Sequence, residues 1–175
     1  MEETAAIDSA PVPCVSYKRS QKTSDFAGSA DYGVCTSKVM KCFGCKLHSL
    51  VSLSGVVLGF LLTPASHYDN QPVVELLDSV DHHLKQLLGD GAYNDQALQE
   101  YLEHACSLRL LAPVKANQPA KRSPAAQKAL NRLRLICETV NANCKSSFTS
   151  PSTMLRALGD SSRALPSRSP LTVLA

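Results

Sequence analysis

Residues 41–63 read KCFGCKLHSLVSLSGVVLGFLLT, two apolar runs (41–53 and 55–63) broken by Ser54-Gly55. Runs of this kind on either side of a glycine turn specify an antiparallel hairpin. Toward the N-terminus, residues 2–13 are predicted to form a short strand ending near Pro11, and the polar stretch 14–38 an irregular connection. Toward the C-terminus, Val73, Val74, Leu76, Leu77, Val80 and Leu84 recur at a helical spacing. Gln86-Leu87-Leu88 reads as a short strand stopped by Gly89-Asp90-Gly91. Asn94 or Asp95 is placed to cap a helix with Leu98, Tyr101, Leu102 and Ala105 on its inner face. Another strand over 108–114 and a long helix over 125–142 complete the pattern. This order predicts an α/β domain, a mixed sheet with helices on both faces.

Composition bounds the function. The chain has 175 residues, 44% of them hydrophobic, enough for the core of one domain. A charged fraction of 19% excludes wholesale disorder. No apolar run approaches the roughly 20 residues of a membrane span, and no basic-then-apolar leader opens the sequence, so a cytoplasmic protein without membrane contact is expected. Seven cysteines, an odd count, argue for a reducing compartment rather than a disulfide scaffold. The net charge of +3 comes from residues 143–175; residues 1–142 carry 14 basic and 14 acidic groups. Within that neutral part the charges are segregated. Arg109, Lys115, Lys121, Arg122, Lys128, Arg132 and Arg134 fall between Glu103 and Glu138 with no acid among them. Such a stripe suits a phosphate backbone, and equally a solvated helix face. From Ser146 the periodicity stops: eight of the 25 residues 146–170 are Ser and three are Pro, an irregular tail.

Three acids stand out by position. Asp8 lies inside the first strand, where a carboxylate is costly unless paired or bound to a cation. Asp90 sits where a strand ends, the place where an α/β sheet presents ligands. Glu138 lies in the long helix beside Leu135, Ile136 and Val140, one turn after Arg134. Gathered at one sheet edge, three carboxylates suit hard divalent cations, and two such cations can clamp both oxygens of a phosphodiester displacement. Each acid also has a structural reading, Asp90 as a turn residue and Glu138 as a partner of Arg134. Cys42-x2-Cys45 with Cys35 and His48 nearby has a zinc-like spacing but no second cysteine pair, so free thiols are expected. His82-His83 reads as a solvated helix end, and Cys137 sits on an apolar face unsuited to a reactive thiolate.

Residues 6–142 resemble the catalytic core of a DDE-type insertion-sequence transposase. The resemblance rests on I-D-S-x-P-V at 7–12, G-C-K-L-H at 44–48, L-T-P-A at 62–65, G-D-x-x-Y at 89–93 and R-x3-E-T-V-N at 134–141. It implies a ribonuclease-H-like mixed sheet flanked by helices over a partial core, 1–142, followed by a tail, 143–175, that is disordered or out of frame. It also implies that Asp8, Asp90 and Glu138 are the catalytic, metal-binding acids, holding two Mg²⁺ ions for DNA cleavage and strand transfer. Arg134, Lys115, Lys121 and Arg122 then become DNA-backbone clamps, with Lys46 a weaker one.

The implied partners are the DNA of the element ends and target, and intact transposase subunits. The implied location is a bacterial cytoplasm, on the nucleoid when DNA is bound. Two departures accompany the resemblance. Asp8 lies closer to the start than the family's first acid does, so the helical DNA-binding part is expected to be missing. The family's helical continuation after E-T-V-N is also missing. Codons permitted for 143–166 restore that helix one base out of frame, so Lys145, at the family's lysine position, is not carried over. Asn131 stands where the family has Tyr, and Cys45 where it has an aromatic residue. A degenerate copy with little activity is the expectation, against a non-catalytic DNA-binding or inhibitory fragment and an active nuclease.

Overall fold

A 12-residue strand, β1 (Thr4–Val15), runs through the middle of a six-stranded sheet in the computed structural model. The structure describes residues 3–15, 26, 28–35, 40–80, 84–113, 135, 136, 139, 140 and 142. On one side β1 pairs antiparallel with β3 (Met40–Ser52), whose far edge carries β2 (Asp31–Cys35) at one end and β4 (Val57–Pro64) at the other. On its other side β1 pairs parallel with β5 (Gln86–Leu88), which pairs parallel with β6 (Arg109–Leu111). Antiparallel strands on one flank and parallel strands on the other make the mixed sheet expected from the sequence.

The β3–β4 hairpin turns where the sequence places it, with Gly55 at φ 86, a left-handed conformation that glycine adopts without steric cost. Two expectations are corrected. The first strand does not stop near Pro11 but continues through Pro11 and Pro13 to Val15. Beyond Ala6 its second edge pairs with no described strand, so a proline's missing N–H costs no ladder bond there. The connection 14–38 is not wholly irregular, because Asp31–Cys35 forms β2, held at the end of β3 by an edge-on contact of Tyr32 with Phe43, ring centroids 5.1 Å apart.

Two helices cover one face. One is α1 (Val73–Asp78), shorter than the apolar spacing to Leu84 suggested. The other is α2 (Gln96–Cys106), capped by Asp95, whose side chain accepts from the Ala97 and Leu98 amides. Val73, Leu76 and Leu102 press on Ile7, Leu50, Leu87 and Leu110 in one apolar cluster. Burying each such side chain contributes about 1.5–3 kcal/mol. Of the inner face expected for α2, Leu102 is buried and Leu98 half-buried, but Tyr101 and Ala105 are exposed. On the opposite face Ile136 and Val140, four residues apart and helical, pack near Ala6, Val51 and Leu88. The remainder of the predicted helix 125–142, together with His82, His83, Cys137 and the tail 143–175, lies outside the described residues. No helix among the described residues is long and apolar enough to cross a membrane.

Candidate active site

The parallel pairing of β1 with β5 aligns Thr4 with Gln86, Ala5 with Leu87 and Ala6 with Leu88. Asp8 follows Ala6 by two residues and Asp90 follows Leu88 by two. Both aspartates therefore lie just beyond the last paired residues of β1 and β5, at the same end of the parallel pair. Asp8 is half-buried, opposite Ser49 on β3. Asp90 is exposed, past the end of β5, and caps a single 3-10 turn (Gly91–Tyr93) by accepting the Ala92 amide at 2.8 Å.

That turn depends on Gly89. Its N–H donates to the Leu111 carbonyl at 3.0 Å, which carries the sheet pairing to the edge of the turn. A Cβ at this position would lie 2.9 Å from three atoms of Tyr93, so only glycine lets the ring close over the chain.

Tyr93 is fully buried, and its hydroxyl has no hydrogen-bond partner among the described residues. Burial pushes the phenol pKa well above its ordinary value; Asp69, Asp8 and Asp90 push it the same way, and Ser9 acts against them. One protonated phenol therefore lies within electrostatic reach of three carboxylates from three segments of the chain. Asp69, in the loop after β4, accepts the Ser9 hydroxyl at 2.7 Å and pairs with the Lys46 ammonium at 3.0 Å. The Lys46 ammonium also donates to the His67 carbonyl at 2.6 Å.

Beside this group, His48 is fully buried with its Nε2 2.9 Å from the Thr63 hydroxyl and its Nδ1 unpartnered among the described residues. Burial lowers its pKa to about 4; Asp69 opposes the shift, while Lys46 and His67 add to it. The ring is neutral at physiological pH.

Alternation along β1 separates two functions. Ile7 and Ser9 face the helices α1 and α2, while Ala6 and Asp8 face the side where Ile136 and Val140 pack. Of the residues singled out in the sequence, Asp8 and Asp90 both act electrostatically on the Tyr93 hydroxyl, and Lys46 belongs to the Asp69 pair. Glu138, Arg134, Lys115, Lys121 and Arg122 lie outside the described residues. Among those described, no group of three His, Cys, Asp or Glu side chains is gathered as a metal site. Cys42 and Cys45, neither in a disulfide, lie on opposite faces of β3 and are directed to the Gly33 and Ser29 carbonyls. Ser9 and Asp69 escaped sequence reading, because nothing local marks a pair 60 residues apart. Tyr93 was visible inside G-D-x-x-Y but without a role.

Residues 1–153 match the family described as the transposase DDE domain. Among solved structures, the chain is similar to the catalytic core domain of BIV integrase, at 8% identity and a TM-score of 0.47, covering 96% of this chain and 88% of that one. No match was found among curated proteins.

Proposed function

The chain belongs to the transposase DDE domain family, and from that premise we propose that Asp8 and Asp90, together with Glu138, form the centre that cuts and joins DNA. The transposase role follows from the family. The residue roles, the use of Mg²⁺, an insertion-sequence origin in a bacterium and a low activity of this chain are our reading. The observation that carries it is the register of β1 and β5, in which Ala6 and Leu88 are partners and an aspartate stands two residues beyond each.

Carboxylate oxygens are the donor chemistry that hard divalent cations take, so the residues present fit Mg²⁺. When bound, such a cation polarises the scissile phosphate and lowers the pKa of a water nucleophile. The chain's own part is placement. The β ladder holds Asp8, and the Ala92 amide orients one oxygen of Asp90. Tyr93 closes the floor beneath the turn without surrendering its proton. Lys46, tied to Asp69, serves first as an internal brace, and the DNA backbone is left to Arg134, Lys115, Lys121 and Arg122.

Nicking of supercoiled plasmid tests the reading. The chain is expected to nick slowly with Mg²⁺ or Mn²⁺ and not in EDTA, and Asp90→Asn to remove that nicking. DNA binding that ignores both the cation and the substitution would favour a non-catalytic DNA-binding role.

A further inference from the structure

A cleft of about 680 Å³ opens between the loop after β4 and the start of α2. Its lining is neutral where it is available. Tyr68 stands at its edge with 74% of its surface exposed. The amides of Asn70, Gln71, Asn94 and Gln96 line the rest, and among the described residues no Lys or Arg lines it. Both carboxylates in the wall are already engaged. Asp69 accepts from Ser9 and pairs with Lys46, and Asp95 accepts from the Asn70 amide and from the first amides of α2.

The hydrogen bonds of the amides leave capacity of both signs. The Gln71 Oε1 accepts the Tyr68 N–H at 3.0 Å, leaving its Nε2 as an unused donor among the described residues. Asn70 donates from Nδ2 and Gln96 from Nε2, which leaves an amide oxygen of each as an acceptor. An exposed aromatic face, with donors and acceptors together and no cation among the described residues, suits a flat uncharged ring with polar edges.

Two residues of the cleft wall connect it to the neighbourhood of the acids. Ala92 lines it and donates its N–H to Asp90, and Asp69 lines it while holding Ser9, the neighbour of Asp8. We propose that this cleft receives one unpaired nucleobase of the DNA strand end, with Tyr68 as the stacking platform and Gln71 and Asn70 reading the base edge. The proposal rests on the DNA-processing reading above and adds to it where the strand end is held.

The test compares a blunt duplex with the same duplex carrying one unpaired 3′ nucleotide, 2-aminopurine, in EDTA so that nothing is cut. The full chain is expected to bind the overhang about tenfold more tightly, as stacking of one base on an aromatic side chain supplies, and to quench its fluorescence. Tyr68→Ala should abolish the preference and the quenching while leaving blunt-duplex affinity within about twofold. Tyr68→Phe should keep both, and Gln71→Ala should reduce the preference alone. Binding of both duplexes with no preference, or a preference that survives Tyr68→Ala, overturns the proposal and leaves the DNA reading standing. Failure to bind either duplex overturns both. Displacement of the overhang by free nucleoside at micromolar concentration overturns the assignment to a strand end.

Discussion

Ala6 and Leu88 are register partners in the parallel pair β1–β5, and each is followed two residues later by an aspartate. The relationship is fixed by backbone pairing rather than by side-chain contact, so it survives changes on the surface. It also explains why Gly89 matters. A single residue separates the end of β5 from Asp90, and that residue must carry the chain beneath the Tyr93 ring.

Gly89→Ala is therefore expected to be costly. Its methyl group would meet the Tyr93 ring at 2.9 Å in a site with no room to spare. Overpacking of this kind costs about 1–3 kcal/mol, and urea unfolding should show it. Tyr93→Ala combined with Gly89→Ala should cost less than the two single changes added together, because the clash is then gone.

The Asp69–Lys46 pair, with side chains 24% and 19% exposed, should couple measurably. Asp69→Asn weakens the partner of the Lys46 ammonium and of the Ser9 hydroxyl, for an expected loss of about 1–2 kcal/mol. A double-mutant cycle with Lys46→Met should return a coupling of about 1 kcal/mol. Full additivity would mean that the pair braces nothing.

His48 sets a pH dependence whose sign follows from its depressed pKa. The ring titrates at 6.5 in its ordinary state and at about 4 in the fold. Between those values the unfolded chain binds more protons than the folded one, so this contribution to stability is complete above about pH 6.5 and is lost as the pH falls toward 4. The slope it adds is at most about 1.4 kcal/mol per pH unit. Chemical unfolding from pH 7.5 to 4.5 should show a smaller slope for His48→Gln than for the parent chain, and equal slopes would contradict the assignment.

The sequence disclosed the fold wherever stability is local. The 41–63 hairpin is legible because two apolar runs meet at a glycine, and Asp95 because a cap acts on its own helix. β2 was not legible. Asp31–Cys35 has no apolar run, and it is a strand only because the end of β3 offers it a partner and Phe43 a contact for Tyr32. The persistence of β1 past Pro11 escaped for a related reason, since a proline's cost depends on whether its edge is paired. At the site, Asp8 and Asp90 could be picked out as acids in unusual places. Ser9, Asp69 and the buried Tyr93 hydroxyl become a group only when strands distant in sequence are laid side by side.

We propose that Asp8 and Asp90 hold one cation between them. Calorimetric titration with Mn²⁺ of the parent chain, Asp8→Asn, Asp90→Asn and the double variant tests it most directly. The account predicts a binding event that either single change weakens by at least about tenfold, with the double variant no worse than the weaker single, as for two ligands of one ion. Binding that survives both substitutions unchanged, or two events lost independently one per aspartate, would contradict it.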